Sequence, residues 1–423
     1  MFLPVGQGAF YCESFKLSEK SEPVNVLFDC GTLPRGGMSS RIDKALAWAL
    51  DGIETIHLAF LSHLHDDHVN GLDVLKEAHH IKIKEIHYPA IQKADQFLMK
   101  FWYKVTDQEK GPAWEFCLEP ERLKQRFPES ETKLVPVEAV TPGAEEDSTT
   151  TSNSNTASLP DVAFPDGKLP EGDVDVSDNP FLNWRFQPFN YRRDTLIQKL
   201  KEELQAALDL EGEVTDEILS KKWDTPKGKK LIKKAYERVM DGDFNANSMV
   251  VFSGPVATKD EKWFQEAICS HSPSCHVNEK LKEFAPGCLY TGDYDASDDE
   301  AWKELQQFFA NQWAQIGCLQ VPHHGACLNF NKEFLRMNAI FVASAGGNNK
   351  YGHPNECVQL AFQQENKHLR CVTESLASGL YTRVYFKHPL ENVVPPQGIP
   401  LTIGQYQGAI KFPDSIELTK TEN

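Results

Sequence analysis

The chain has 423 residues, 40% hydrophobic and 25% charged, with a formal net charge of −17. That length exceeds a single small domain and leaves ample apolar material for a core. The negative balance argues against nonspecific coating of long duplex DNA, whose phosphates would be repelled everywhere except at a local basic patch. No run of about 18 apolar residues exists, so no spanning helix is expected, and the opening MFLPVGQGAF lacks the basic and apolar regions of a secretion signal. The ten cysteines, among them Cys12, Cys30, Cys117, Cys318 and Cys371, show no disulfide spacing and read as reduced core thiols. A cytoplasmic protein without membrane association is the expectation.

In chain order, strands are expected near 1–12 and 24–30, then a helix over Arg41–Leu50 with Ser40 as N-cap and Gly52 as its stop. The apolar run Ile56–Leu61, within a strand expected at 55–62, has no helical period and reads as buried. A helix and a strand at 81–88 follow. At the C-terminal end of the 55–62 strand stands FLSHLHDDHVNG, which places His63, His65, Asp67 and His68 within six residues. Strand alternation turns His63 and His65 toward one cation, while Asp67 and His68 swing toward a second. Neutral imidazole with carboxylate suits Zn²⁺, with Mn²⁺ as the alternative. Two such ions about 3.5–4 Å apart would bridge a water, lower its pKa to roughly 7 and clamp attacking and leaving oxygens. That is machinery for hydrolysis. The competing reading, satisfied surface histidines in a polar loop, needs an accidental HxHxDH match from only 14 His in 423 residues.

Residues 91–244 have a different texture and read as a largely helical insertion. Ala90–Lys110 looks helical. Residues 141–180, with AEEDSTTTSNSNTAS in their midst, are expected to be flexible. Residues 190–240 read as a helical cap. Arg193–Leu210 carries Leu196, Ile197, Leu200, Leu204 and Leu208 at helical spacing, and Gly228–Met240 places Leu231, Ile232, Ala235, Tyr236 and Val239 on one face. Lys229 and Lys230, among further lysines from Lys221 to Lys234, would hold an anionic substrate, with Trp223 available to stack on a base. A solvated lysine-rich surface is the plainer alternative.

Strands near 248–253, 286–292, 316–322, 339–344 and 370–373 then alternate with helices at about 258–268, 298–311 and 355–366. The element order predicts an α/β fold of two sheets packed face to face with helices outside, a four-layer αββα arrangement. From Tyr381 a strand and an irregular C-terminal extension, 391–423, complete the chain.

The HLHDDH cluster resembles that of the metallo-β-lactamase superfamily, and further segments follow in that family's order. They are VGQGAFY at Val5–Tyr11, VLFDCGT at Val26–Thr32, Asn247–Ser248 within NANSMVVFSG, CLYTGDYD at Cys288–Asp295, CLQVPHHG at Cys318–Gly325 and NKYGHP at Asn349–Pro354. Together they are similar to the ComEC-like branch, in a form without its membrane channel. The resemblance covers residues 1–90 and 245–390 as one catalytic domain and implies a metallo-β-lactamase sandwich holding two divalent ions. It implies that Asp293 bridges them, that one of His323 and His324 is the remaining ligand, and that the other faces the substrate. His63, His65 and Asp293 would then hold one ion, and Asp67, His68, Asp293 and one of the histidine pair the other.

Asp67 and His353 are the expected catalytic side chains, His353 protonating the leaving oxygen or binding a phosphate oxygen. Holding the loop before Pro354 is the structural alternative for His353. Asp29 and Asn247 would orient a ligand or a turn, Asn247 on the substrate side. No additional histidine stands in a recognisable context between the cluster and Asp293: His87 reads as structural, and His271 and His276, in CSHSPSCH, as surface loop residues. His65 stands where the ComEC-like branch often carries Asp, which softens the site toward zinc.

The expected function is a metal-dependent hydrolase, a phosphodiesterase or nuclease acting through a metal-bridged hydroxide on a phosphodiester or nucleic-acid substrate. Two alternatives stand beside it: an acyl, lactone or phosphocholine-type ester hydrolase of the same fold, and a noncatalytic subunit that binds a protein partner.

Overall fold

VNVLFDC, the stretch Val24–Cys30, is buried along its whole length, as a strand covered on both faces must be. In the computed structural model this stretch is β2. The structure describes residues 1–15, 23–33, 37–49, 53–77, 79–107, 109, 112–127, 132–140, 157–158, 184–240, 247–255, 262–269 and 284–387.

One sheet runs in the order β1 (Phe10–Phe15), β2, β3 (Thr55–Phe60), β4 (Lys82–Pro89) and β5 (Lys133–Val137). β1 is antiparallel to β2 and the others are parallel. The second sheet is built from β6 (Ala157–Ser158), β7 (Trp184–Arg192) and β8 (Asn247–Pro255), passes over β9 (Lys262–Cys269), and continues with β10 (Gly287–Tyr290), β11 (Ile316–Gln320), β12 (Ile340–Ser344) and β13 (Leu369–Val372). Its order is β13-β12-β11-β10-β8-β7-β6, and β9 pairs instead with β14 (Leu380–Lys387).

The two sheets face each other across an apolar layer that includes Tyr11, Val26, Phe28, Leu58, Phe60, Phe186, Met249, Val251, Tyr290 and Val342. Phe28 stacks on Tyr290 with ring centroids 3.7 Å apart and on Phe60 at 5.4 Å. Burying each such ring contributes about 1.5–3 kcal/mol. Helices cover both outer faces. Against the first sheet lie α1 (Met38–Ala49), α2 (Asp66–Val69), α3 (Leu72–Glu77), α4 (Lys93–Val105), α5 (Pro112–Leu118) and α6 (Arg122–Arg126), joined in one core by α7 (Asp194–Leu208), α8 (Asp216–Trp223) and α9 (Pro226–Val239). Against the second lie α10 (Asp299–Phe308) and α11 (Glu356–Gln364). The layers are therefore αββα.

Ile197, Leu200, Leu204 and Leu208 of α7 are all buried, so its helical stripe finds its cover inside this chain. Thr225 caps α9 by accepting from the Gly228 N–H at 3.1 Å, and Pro226 opens that helix, where its missing N–H costs nothing.

The structure differs from the sequence expectations in several places. β5 and β7 fall within 91–244 yet join the two sheets, so that stretch supplies strands as well as helices. Pro136 interrupts the pattern of β5, but β5 is an edge strand and tolerates a missing donor. The segment expected as a helix at 258–268 is the strand β9, paired antiparallel with β14 over eight residues. α1 begins at Met38, which puts Ser40 inside its first turn rather than at its cap. Gly52, His271, His276, residues 141–156 and 159–183, and the extension 391–423 lie outside the described residues. Cys12, Cys30, Cys288 and Cys318 are buried thiols, whereas Cys327 and Cys357 are paired as a disulfide with Cα atoms 6.1 Å apart.

His57 on β3 accepts the Asn25 N–H on Nδ1 at 3.2 Å, and burial, reinforced by Lys84, pushes its pKa down to about 4. The unfolded chain takes up a proton near the ordinary value of about 6.5, which the folded chain refuses. The stabilisation is therefore complete above that value and drains away as the pH falls toward about 4. Comparing urea midpoints at neutral pH and about pH 5, wild type is expected to lose roughly 1–2 kcal/mol more than a His57→Gln variant. Equal losses would remove His57 from the acid response.

Candidate metal centre

β3 ends at Phe60, and the next residues turn beneath the helix pair α2 and α3, burying His63, His65 and His68 at 2%, 8% and 0% exposure. The turn is held from two sides. Tyr103 on α4 donates its hydroxyl proton to the Leu64 carbonyl. Gly31, in the DCG turn after β2, presses against Asp67 so closely that a Cβ there would lie 2.2 Å from the Asp67 carbonyl carbon. Only glycine permits that approach, which sets the position of Asp67.

Asp29 organises the histidines. Its carboxylate accepts from the Ser62 N–H and Oγ–H, both at 2.7 Å, and from His68 Nδ1 at 2.8 Å. Ser62 Oγ also stands 3.0 Å from His63 Nδ1. With its own proton given to Asp29, that oxygen accepts from His63. Both imidazoles thereby carry a proton on Nδ1 and turn Nε2 toward the centre, the orientation a metal ligand needs.

Asp293 arrives from the other sheet, on the turn after β10. The Thr291 and Gly292 N–H groups donate to Gln320 Oε1 at 3.0 and 3.1 Å, which fixes the turn. The carboxylate then meets His63 Nε2 at 3.4 Å, His68 Nε2 at 3.3 Å, His323 Nε2 at 3.6 Å and His324 Nε2 at 3.9 Å. Asp67 stands 3.4 Å from His324 Nε2.

The backbone after β11 separates the two adjacent histidines. His323 and His324 both occupy the left-handed region, with φ of 47° and 56°. Such conformations cost of order 1–3 kcal/mol each and persist where the surroundings over-determine them. Gly325 follows with φ of 87°, and a Cβ there would lie 2.7 Å from that of Pro354. As a result His324 is buried and gives its Nδ1 proton to the Ser344 carbonyl at 2.8 Å, leaving Nε2 for the centre. His323 is 20% exposed at the mouth, its Nδ1 held by Asn329 at 2.9 Å.

Two groups have ligand atoms mutually within 4.8 Å: His63, His68 and Asp293, and Asp67, His68 and His324. His65 and His323 stand beside these groups rather than in them, the His65 ring 4.7 Å from that of His63 and edge-on to Tyr103. The buried Nε2 atoms of His63, His68 and His324 and Oδ1 of Asp293 make no hydrogen bond among the described residues, although they face one another. Buried polar atoms left in that state are costly, and a divalent cation satisfies them together. The donor set, imidazole nitrogen with carboxylate oxygen, is one that holds Zn²⁺ or a similar ion.

The electrostatics agree. Burial would raise Asp293, but His323, His68 and His63 outweigh it and hold the carboxylate well below its usual range. Burial, with His68 beside it, keeps His63 neutral. Burial would also depress His68, yet the Asp293 and Asp29 carboxylates hold it charged in the absence of any other cation. The centre is a field that demands positive charge.

His353 lines the same mouth, its ring 5.6 Å from that of His323 and 6.2 Å from that of His324. Asn349 holds its backbone, accepting from the His353 N–H at 2.9 Å and donating to its carbonyl at 2.6 Å. Gln7, from the VGQG segment, reaches His353 Nδ1 at 3.5 Å. Burial, with His324 and His323 nearby, pushes His353 down to about 4.

Trp223, by contrast, packs edge-on against Phe101 at 5.8 Å, with Lys229 Nζ 5.0 Å from its ring centroid. Lys229 and Lys230 are exposed, and among the described contacts none joins them or Trp223 to the histidine cluster. Asn247 starts β8 opposite Arg192, and its side chain lies outside the described structure. His87 is buried on β4, 3.3 Å from Glu85. Sequence reasoning missed Ser62, Gln320 and Asn329, since a hydroxyl or amide that orients a ligand leaves no spacing signal.

Residues 24–148 match the sequence profile of the metallo-beta-lactamase superfamily. No curated protein gave a significant match. This segment therefore carries a metallo-β-lactamase superfamily domain, and the two mixed sheets with outer helices are consistent with that sandwich fold. That superfamily suggests a metal-dependent hydrolase, and the His and Asp groups have the spacing to hold a metal ion. No described helix is long and apolar enough to cross a membrane.

Proposed function

We propose that the chain is a metal-dependent phosphodiesterase or nuclease carrying two divalent ions, zinc before manganese, in a cytoplasmic setting. The observation that carries the metal chemistry is Asp293, a buried carboxylate ringed by the Nε2 atoms of His63, His68, His323 and His324 at 3.3–3.9 Å. His63, His68 and Asp293 would hold one ion and Asp67, His68 and His324 the other, with Asp293 within reach of both and His65 supporting the first group.

Such ions supply a deprotonated water at neutral pH and neutralise charge on phosphoryl oxygens. The protein's own residues do the rest. Asp29 and Ser62 fix the ligand tautomers, and the partly exposed His323 stands at the mouth, where a substrate would pass it. His353, whose pKa burial pushes down to about 4, is suited to hydrogen-bonding a phosphate or leaving oxygen. The phosphodiester rather than acyl choice is supported by the ordered VGQG, DCG, GDYD, PHHG and NKYGHP segments, whose His353 and Gln7 meet at the same mouth. Asn247, Lys229, Lys230 and Trp223 remain candidates for contact with a longer substrate.

The test is a panel of bis-p-nitrophenyl phosphate, single-stranded DNA, and ester and lactone substrates, assayed with wild type and Asp67→Ala. Hydrolysis of the phosphodiesters, lost in the variant, is expected. Cleavage of the esters or lactones alone would transfer the site to acyl chemistry, and an Asp67→Ala protein with full biological activity would point to a noncatalytic, partner-binding role.

A further inference from the structure

The loop that carries His353 continues outward through an exposed aromatic residue. The Tyr351 ring is stacked on that of His353 at 5.7 Å and 23°, and His353 is stacked in turn on His324 at 6.2 Å and 23°. A series of near-parallel rings thus leads from a buried histidine of the centre to the surface. Its outer member is 46% exposed, and Leu328, another large apolar side chain, is 60% exposed. Asn355 ties their two loops together, donating to the Tyr351 carbonyl at 3.3 Å and accepting from the Cys327 N–H, next to Leu328, at 2.9 Å. The exposed Lys350 ammonium lies 5.0 Å from the Tyr351 ring centroid.

An exposed aromatic ring beside a cation, with a second exposed apolar side chain on the loop tied to it, at the rim of the candidate centre, matches one kind of substrate portion: a flat apolar ring attached to an anion. Every nucleobase offers a π-face to an aromatic platform, and a flexible lysine beside it meets a phosphate without demanding a fixed geometry. Exposed lysine–aromatic contacts are weak, so the ammonium is readily displaced by an arriving ring.

We infer that Tyr351 is the platform on which a nucleobase next to the scissile phosphodiester stacks, with Lys350 contacting a neighbouring phosphate. The inference rests on the phosphodiesterase reading and narrows its substrate to nucleotides and unpaired nucleic-acid strands, because a paired base keeps its faces covered.

The test compares thymidine 5′-phosphate p-nitrophenyl ester with methyl p-nitrophenyl phosphate, which has the same scissile bond and no base, for wild type, Tyr351→Phe and Tyr351→Ala. Wild type is expected to favour the thymidine ester in kcat/KM by about tenfold or more. Tyr351→Ala should collapse that ratio mainly through KM, and Tyr351→Phe should keep it, since a ring without the hydroxyl still stacks. Affinity for a short phosphorothioate oligothymidine, read by fluorescence anisotropy without turnover, should fall in Tyr351→Ala alone. If wild type hydrolyses both phosphodiesters equally well, or Tyr351→Ala keeps the preference, the platform is overturned and the phosphodiesterase reading survives. If neither phosphodiester is hydrolysed while an ester or lactone is, both fall together.

Discussion

Replacing Asp293 by Ala is expected to strip bound metal from the protein and to lower phosphodiester turnover by at least about a thousandfold. The carboxylate meets the Nε2 atoms of His63 and His323 through Oδ2 and those of His68 and His324 through Oδ1, so its removal touches four described histidines at once. Among the described residues, its loss removes the one carboxylate that reaches both ligand groups and leaves Asp67 as the remaining acidic candidate ligand. Elemental analysis of the purified variant, read beside its hydrolysis rate, checks both halves. A variant that kept its full metal complement and its turnover would show that the histidines alone suffice and would dissolve the role given to Asp293. Asp293→Asn makes the finer comparison: it keeps shape and removes charge, and it should behave like the alanine variant if charge is what holds the ions.

Asp29→Asn is expected to weaken metal affinity or activity about 10- to 100-fold while leaving the fold intact. Asp29 has φ of 52°, a conformation that asparagine tolerates about as well as aspartate, so the exchange adds little backbone strain. An amide oxygen still accepts the Ser62 N–H. What disappears is the anion beside His68 Nδ1 at 2.8 Å, and with it the bond that holds the proton on that nitrogen and turns Nε2 inward. Titration of the metal-free protein with Zn²⁺ in competition with a chromophoric chelator measures the loss. Unchanged affinity would mean that Ser62 and packing alone orient His68.

The first half of this centre was legible because its ligands are contiguous. A strand that ends in HLHDDH states both residue types and spacing within six positions, and the described residues bring His63 and His68 onto Asp293 and Asp67 onto His324. The second half could be read only as ordered segments, and the choice between His323 and His324 was not readable at all. That choice depends on two successive left-handed residues and on the Ser344 carbonyl at the end of β12, a partner 20 residues away. The spacing argument paired His65 with His63, whereas the α2 turn brings His68 into that group. Sheet membership failed in the reading for a related reason. The five residues of β5 and the nine of β7 both include a proline, and their strand character comes from the neighbours they pair with rather than from local propensity.

The centre draws its donors from two sheets that the chain completes at very different times. A ribosome delivers HLHDDH while Asp293 and His324 are still unmade, and the half-finished polypeptide can offer a cation only one strand end's worth of donors. On the proposed reading those early histidines would lack the distant carboxylate, and bringing it in closes a long loop at an entropic cost. Both ligand groups would then be complete only once the two sheets have met, so metal content would report on a finished molecule.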